Sequence, residues 1–223
     1  MEYTNMGLIE SVHGGFIHKR RVRVLGDWCS KLIPSNSKVL DVGCGDGRLA
    51  RVIKETRPDI SISGIDVLRR RDAAVLVEAF DGKSIPYADC SFDVVLFVDV
   101  LHHASEPMTL LREAVRVARQ ALVIKDHLLE GMFAYSTLRF MDWVGNARHG
   151  VALPYNYWAL AKWHQVFGEL GLNIKFWESN LRLYPSLADL IVGRLLHFIV
   201  LLEISDDSKV RIQHDKIRTN RGS

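Results

Sequence analysis

Short runs of consecutive apolar residues recur along the chain and alternate with stretches whose apolar residues are three or four positions apart. Residues 94–97 and 121–124 are runs of the first kind, which is typical of strands buried on both faces. Residues 107–119 and 157–170 show the helical spacing, and Gly171 directly follows the second stretch. This alternation predicts an α/β fold, namely a doubly wound and mostly parallel sheet with helices on both faces.

Weaker patterns indicate how the sheet begins and ends. Apolar residues at helical intervals predict an N-terminal helix over 18–33, which we expect to pack on the sheet and cover a ligand site. Residues 173–177 and His197–Ile204 are predicted to form the last two strands. Only 14 residues separate Asp66 from Asp81, and a third strand uses several of them, so their connection is predicted to be a short turn or a single helical turn.

Length and composition are those of one globular domain. The 223 residues are 48% hydrophobic and 25% charged, and a net charge of +3 is too small to indicate a polyanionic partner. We predict a single domain over 1–205, with an insertion over 127–157 that covers the substrate, and a flexible polar tail over 206–223. The cysteines show no paired spacing and no signal peptide is visible, which favours a cytoplasmic protein. Charged residues interrupt the apolar stretch 187–204, so we expect no membrane span there.

A glycine-rich loop directly follows the first predicted strand. Its sequence is Asp41-Val42-Gly43-Cys44-Gly45-Asp46-Gly47. Glycine at every second position permits positive φ and lets a ligand approach the backbone, and strand, glycine turn and helix form the layout of a nucleotide-type site. The spacing Gly45-x-Gly47-x-x-Ala50 also fits a dinucleotide site, but Asp41 is an unfavourable neighbour for a negatively charged pyrophosphate.

Further acids follow the next predicted strands. Asp66 lies 19 residues beyond Gly47, close to the usual interval for an acid that binds ribose hydroxyls. Asp81 precedes the fourth strand, and Asp99-Val100-Leu101-His102-His103 follows it. Together with the acidic D-x-G-x-G-x-G loop, these segments resemble the class I S-adenosylmethionine-dependent methyltransferases of the type 11-like group over about residues 36–126.

The resemblance implies a seven-stranded sheet whose last strand is antiparallel, with S-adenosyl-L-methionine as cofactor and S-adenosyl-L-homocysteine as product. By the same resemblance Asp66 and its neighbour Val67 are expected at the ribose, and Asp81 and Gly82 at the adenine. A surface turn built on Asp-Gly is the other interpretation of Asp81. The full set of expected cofactor residues is Asp41, Gly43, Cys44, Gly45, Gly47, Asp66, Val67, Asp81, Gly82 and Asp99.

The segment after the fifth strand is expected to select the methyl acceptor, because ligands of doubly wound sheets lie beyond the carboxyl ends of the strands. We predict a small-molecule or lipid-like acceptor, with oxygen as the preferred atom and carbon or nitrogen as further options. A hydroxyl acceptor needs a base, for which His103 and His127 are the leading candidates, with Asp126 orienting a histidine. His102 and His149 are further candidates. The aromatic residues of 127–157 predict either an apolar lid or a completion of the core.

Three other functions stay open at this point. An RNA or protein methyltransferase is one, since the basic run 18–23 could contact phosphates, although its pattern better fits a solvated helix face and does not favour nucleic acid. A non-catalytic subunit that binds S-adenosylmethionine is the second. An NAD(P)-dependent oxidoreductase is the third, which the absence of a Tyr-x-x-x-Lys motif disfavours.

No bound metal is expected from the sequence. Asp99, Asp126 and His127 follow adjacent strands, somewhat as in the catechol-type methyltransferases that hold Mg²⁺, but His127 stands where that family has an asparagine. The sequence gives no indication of an oligomeric state.

Overall fold

The computed structural model describes residues 3–68, 73–146, 154–185, 196–205 and 208–209, with the backbone alone at 3–17 and 144–146. The strands are β1 (Lys38–Val42), β2 (Ser61–Asp66), β3 (Val77–Ala79), β4 (Phe92–Val98), β5 (Ala118–His127), β6 (Leu172–Glu178) and β7 (His197–Ile204). The helices are α1 (Tyr3–Leu32), α2 (Arg48–Thr56), α3 (Pro107–Val117), α4 (Ala134–Asn146) and α5 (Leu160–Glu169), and a short 3-10 helix spans Leu101–His103.

The seven strands form one sheet in the order β3-β2-β1-β4-β5-β7-β6. The first five strands pair in parallel, whereas β7 runs antiparallel to both β5 and β6. The chain moves outward from β1 to β3 and then returns to place β4 on the other side of β1, so the strand order reverses between β1 and β4. The predicted fold class is thereby confirmed.

The core consists of two apolar layers, one on each face of the sheet. Along β4, Val95 and Phe97 belong to the layer that contains α3 and α5, whereas Val94 and Leu96 belong to the layer that contains α1. This division follows from the alternation of side chains along a strand. Burial on both faces explains why the central strands are continuous apolar runs in the sequence.

The helix α1 extends much further toward the N-terminus than the predicted range 18–33. Gly14 and Gly15 lie within it, and glycine pairs disfavour a helix interior, so the sequence pattern underestimates the length. Arg57 closes the other end, because its Nη1 donates to the carbonyl oxygens of Ser30 at 2.6 Å and Ile33 at 2.9 Å. The last carbonyls of α1 therefore gain partners that the helix itself cannot supply.

The short connection from β2 to β3 contains no helix at 67–68 or 73–76, and 69–72 lie outside the described residues. Of the predicted tail, only residues 208 and 209 are described. Ser208 is buried, and its hydroxyl donates to the carbonyl oxygen of Gly171 at 2.7 Å. In the part of the chain that the structure describes, no helix combines the length and apolarity needed to cross a bilayer.

Candidate active site

The glycine loop after β1 has the backbone conformation that its sequence predicts. Gly43, Gly45 and Gly47 have φ angles of 73°, 59° and 71°. A Cβ on Gly43 would lie 2.5 Å from a methyl carbon of Val100, and one on Gly47 would lie 2.6 Å from a methyl carbon of Val75. A Cβ on Gly45 would meet no atom within 4 Å. The outer glycines are therefore required by close packing, whereas Gly45 leaves its backbone open to a ligand.

Asp41 is a buried carboxylate with an unused oxygen. It is 2% exposed, and its Oδ2 has no hydrogen-bond partner. Burial, with a further contribution from the negative charge of Asp66, raises the pKa of Asp41 to about 7. A cation beside this oxygen would remove the cost of burying an unpaired charge.

Asp66 fastens the same loop from the end of β2. Its Oδ2 accepts a hydrogen bond from Gly45 N at 2.8 Å, and its Oδ1 accepts one from Leu68 N at 2.8 Å. Cys44 is buried beside Gly64, where a Cβ would lie 2.6 Å from its Sγ, and burial raises the pKa of this thiol. These contacts explain how the loop is held without a large side chain.

The predicted adenine segment lies next to the predicted ribose segment. Gly82 has a φ of 80°, and a Cβ there would lie 3.0 Å from a methyl carbon of Val67. Asp81 is exposed, and its Oδ1 accepts from Lys83 N at 2.8 Å and Ser84 N at 2.7 Å. These backbone hydrogen bonds lower the pKa of Asp81, which is the geometry of an Asp-Gly turn.

Asp99, at the end of β4, forms ion pairs with Arg21 of α1 and Lys125 of β5. Burial by itself would raise the pKa of Asp99, but the two cations hold it well below its usual value. Burial lowers the pKa of Lys125, and Asp99 opposes that shift. Arg21 therefore points inward and ties α1 to the strand edge, although it belongs to the basic run that the sequence places on a solvated face.

Four histidines with contacting rings lie at the carboxyl ends of β4 and β5, and we call them the histidine cluster. Its members are His102, His103, His127 and His197. Asp126 accepts a hydrogen bond from Nδ1 of His102 at 2.6 Å and also accepts the backbone N–H groups of Leu101 and His127. Asp126 therefore orients His102, which sequence reasoning ranked below its neighbour.

The histidines differ in charge. Burial opposes protonation of His102, but Asp126 and then Asp142 raise its pKa to about 10. Burial and the charge of His102 lower the pKa of both His103 and His127 to about 4. His127 is fully buried, whereas His103 is partly exposed, and His149 lies outside the described residues. The cluster thus contains one cationic imidazole among neutral ones.

The segment between β5 and α5 packs partly on this cluster. Ala134, Leu138, Tyr157 and Leu196 form a small buried group, and the hydroxyl of Tyr157 donates to Asp142 of α4. In contrast, five large hydrophobic side chains among the described residues of the same segment are exposed, namely Met132, Phe133, Tyr135, Phe140 and Trp143. Some of the aromatic residues thus complete a small core while others face outward, and the lid stays a prediction.

A family model described as a methyltransferase domain matches residues 40–122. The chain is 31% identical over 122 residues to 27-O-demethylrifamycin SV methyltransferase of Amycolatopsis mediterranei, covering 47% of this chain and 44% of that protein. It is 32% identical over 117 residues to an O-methyltransferase of Pyrenophora dematioidea, covering 45% and 43%. It is 35% identical over 104 residues to the tRNA (carboxymethyluridine(34)-5-O)-methyltransferase alkbh8 of Xenopus tropicalis, covering 43% and 16%. The chain thus spans less than half the length of these curated relatives.

Solved structures agree in fold. An S-adenosylmethionine-dependent methyltransferase of Thermotoga maritima superposes with a TM-score of 0.61 at 17% identity, covering 89% of this chain and 96% of that one. The YcgJ protein of a Bacillus superposes with a TM-score of 0.56 at 17% identity, covering 81% and 95%. Residues 40–122 thus match a methyltransferase domain, and the sheet has the fold of S-adenosylmethionine-dependent methyltransferases. The family prediction and the cofactor prediction are confirmed.

The residues of this methyltransferase domain fit its cofactor. S-adenosylmethionine carries an ammonium group and a sulfonium and no phosphate, so the unpaired Oδ2 of Asp41 has a cation to bind. Gly45 leaves room for the cofactor to lie against the backbone. When bound, the cofactor supplies a methyl group that its positive sulfur has already activated. Asp66 keeps Gly45 in place, and each of its oxygens has a further lone pair for a ribose hydroxyl.

Several residues of the site carry no motif in the sequence. Arg21, Asp142 and Tyr157 come from α1, α4 and the segment before α5, and only folding brings them to the ends of β4 and β5. Lys125 stands in a continuous apolar strand, and that unusual position is the one signal that could have indicated it.

Proposed function

We propose that the chain transfers the methyl group of S-adenosylmethionine to an oxygen atom of a small-molecule acceptor. The observation that carries the methyl-transfer step is the unpaired carboxylate oxygen of Asp41 together with the open backbone of Gly45 in the loop that follows β1. The choice of oxygen as the acceptor atom is supported by the names of three relatives. The Amycolatopsis, Pyrenophora and Xenopus proteins are all named for methylation at oxygen.

In this reaction an oxygen lone pair forms the new O–CH₃ bond while the S–CH₃ bond breaks. Its electron pair returns to sulfur, which leaves S-adenosylhomocysteine, and the hydroxyl proton passes to a neighbouring base or to solvent water. The protein mainly has to hold the acceptor in line with the S–CH₃ bond, and positioning of this kind can contribute roughly 7–11 kcal/mol.

The histidine cluster is the proposed boundary of the acceptor site. His103 is the predicted catalytic residue for contact with the acceptor, because it is partly exposed while His102 and His127 are buried. Asp126 acts through His102 and is a positioning residue. Met132, Phe133 and Phe140 supply apolar surface within the segment 127–157, which we propose as a lid for a small or lipid-like acceptor.

An RNA acceptor remains the second candidate, favoured by one feature. A cleft of about 540 Å³ between α1 and the end of β6 is lined by Arg20, Arg23, Lys31 and Arg182, with Trp28 among them. Four cations and an aromatic ring suit a phosphate backbone, although Asp27 and Glu178 also line the cleft and reduce its net charge.

The test is incubation of the purified protein with S-adenosylmethionine labelled in its methyl group. Separate arms contain hydroxylated small molecules, amines, thiols, tRNA and protein extract, and the labelled product is identified by mass spectrometry. We expect label on an oxygen of a small molecule. Label confined to tRNA, to nitrogen or to protein would contradict the proposal.

Two variants refine the acceptor site. We expect His103→Gln to lower turnover by about 100-fold with unchanged cofactor affinity, and His127→Gln to lower it less, because only His103 is partly exposed. Equal turnover of His103→Gln and the wild type would remove His103 from the reaction.

A further inference from the structure

Two neighbouring histidines of the 3-10 helix present buried ring nitrogens without hydrogen-bond partners, namely His102 Nε2 and His103 Nδ1. His102 is 2% exposed. Asp142 of α4 is also buried, and its Oδ2 lies 3.5 Å from His102 Nε2, too far for a good hydrogen bond. The ligand atoms of these three side chains all lie within 4.8 Å of one another.

Both buried members of this group have a partner that fixes their orientation. Asp126 binds Nδ1 of His102 at 2.6 Å, so Nε2 is the nitrogen directed toward Asp142. An ion bound at Nε2 would displace the second proton of the His102 cation, while the proton on Nδ1 stays with Asp126. The hydroxyl of Tyr157 donates to Asp142. A histidine that ligates a metal is usually held in this way by a carboxylate on its other nitrogen, and ligating carboxylates are themselves hydrogen-bonded.

We propose that His102, His103 and Asp142 bind one divalent transition metal ion of the zinc type. Two nitrogens and one carboxylate oxygen are a common ligand set for Zn²⁺ with a fourth position left open. Ligand atoms about 2.05 Å from a tetrahedral ion lie roughly 3.3 Å apart, close to the 3.5 Å between His102 and Asp142. His103, which is partly exposed, supplies the remaining adjustment and the path by which the ion enters.

Two other groups of potential ligands lie nearby, and their contacts disfavour a cation. Asp99, His127 and His197 form one group, but Asp99 already pairs with Arg21 and Lys125, whose charges would repel an ion. His102, Asp126 and His127 form the other group, in which Nδ1 of His102 is already used by Asp126. Among the groups in the described part of the chain, the one with Asp142 therefore combines unpartnered nitrogens on both of its histidines with a carboxylate that forms no ion pair with a described lysine or arginine.

The ion would connect two distant parts of the chain. His102 and His103 follow β4, whereas Asp142 lies on α4 within the predicted lid, so an ion shared by them fastens α4 to the strand edge. A fourth ligand position left open by these three side chains could take an acceptor oxygen, whose proton would pass to solvent water. That role in the reaction rests on the proposed function, whereas binding of the ion does not.

The test is a Co²⁺ titration of the tag-free protein, because tetrahedral Co²⁺ absorbs visible light and reports the ligand geometry. We expect one Co²⁺ per chain with a tetrahedral spectrum, displaced by Zn²⁺, and a higher Tm with Zn²⁺ that a chelator reverses. Tyr157→Phe should weaken binding about 10- to 100-fold, and Asp142→Asn should weaken it further. His164→Gln is the matched control, since His164 is exposed on α5 and should leave the affinity unchanged.

Absence of a tetrahedral spectrum in the wild-type protein would overturn the proposal, as would equal Co²⁺ affinity of the wild type and Asp142→Asn. If a ligand variant does not fold by circular dichroism, Tyr157→Phe decides, because it removes only a hydroxyl. Ion binding without methyl transfer to any hydroxyl would contradict the proposed function and leave the metal site standing. Methyl transfer to oxygen without ion binding would support the proposed function and overturn the metal site.

Discussion

The edge of the sheet at the carboxyl ends of the parallel strands has two halves, which differ in how their buried charges are paired. The proposed cofactor half consists of residues 41–47 and Asp66, where the glycine backbone sets the geometry and one carboxylate oxygen has no hydrogen-bond partner in the protein. The proposed acceptor half consists of residues 99–103 and 125–127, where cations and carboxylates lie in direct contact. It includes Asp99, which the sequence assigns to the cofactor but which pairs with Arg21 and Lys125. The cofactor half thus needs a ligand to complete its electrostatics, whereas the acceptor half largely balances its own charges.

The comparison predicts that neutralising a carboxylate in the acceptor half lowers the stability of the fold. Neutralising one in the cofactor half should instead weaken binding of S-adenosylmethionine. Asp126→Asn leaves the buried His102 cation without its main partner, so we expect the free energy of unfolding to fall by about 3–5 kcal/mol. Urea denaturation at pH 7 measures this change. Asp89→Asn is the control, because its bond to Arg116 lies at the surface and contributes little. A loss below about 1 kcal/mol would show that His102 is not charged in the folded protein.

In the cofactor half, Asp41→Asn should keep the fold and weaken S-adenosylmethionine binding by about 100-fold, since a charge-assisted contact is lost. Calorimetric titration measures the affinity, and thermal unfolding checks the fold. Asp46→Asn makes the same chemical change in the same loop, but the carboxylate of Asp46 already pairs with Arg48. The affinity of this variant for S-adenosylmethionine should therefore stay near that of the wild type. Equal losses in the two variants would argue against a specific role of Asp41.

Alanine substitutions at Gly43 and Gly45 should distinguish the effect of close packing from that of contact with the ligand. Gly43→Ala places a methyl group against Val100 at a positive φ, so we expect a loss of at least about 2 kcal/mol in stability. Gly45→Ala has the same unfavourable φ but open space around its Cβ, so we expect only about 1 kcal/mol and a larger loss of cofactor affinity. Chemical denaturation and calorimetry on both variants test this order. Identical stability losses would contradict it.

The smallest expected effect is a pH dependence of cofactor binding. Burial raises the pKa of Asp41 to about 7, so below pH 7 the carboxylate is protonated and a cationic ligand must displace that proton. Affinity should be constant above pH 8 and fall by about tenfold per pH unit below pH 7. Titrations between pH 6 and pH 8.5 measure it, with Asp41→Asn as the control that should be flat over this interval.

The sequence predicts the glycine loop and the positions of the acids well, because these residues are contiguous or lie at strand ends. The loop 41–47 is one motif, and the acids after β2 and β4 lie at the strand ends that a parallel sheet brings together. The acceptor half is less predictable, since Arg21 and Asp142 come from distant helices and carry no local pattern. His102 and His103 are adjacent in sequence, so only the folded structure reveals which of them Asp126 orients.

The reversed direction of β7 adds a second source of side chains to the functional edge. In a parallel strand, only the segment that leaves the strand reaches this edge, but β7 begins there, and His197 lies opposite His127 in register. Leu196 consequently accepts a hydrogen bond from Leu128 N at 2.9 Å just before the strand starts. Sequence change at the start of β7 would therefore alter the side chains around the histidine cluster without touching the glycine loop, so the two parts of this edge can vary independently of each other.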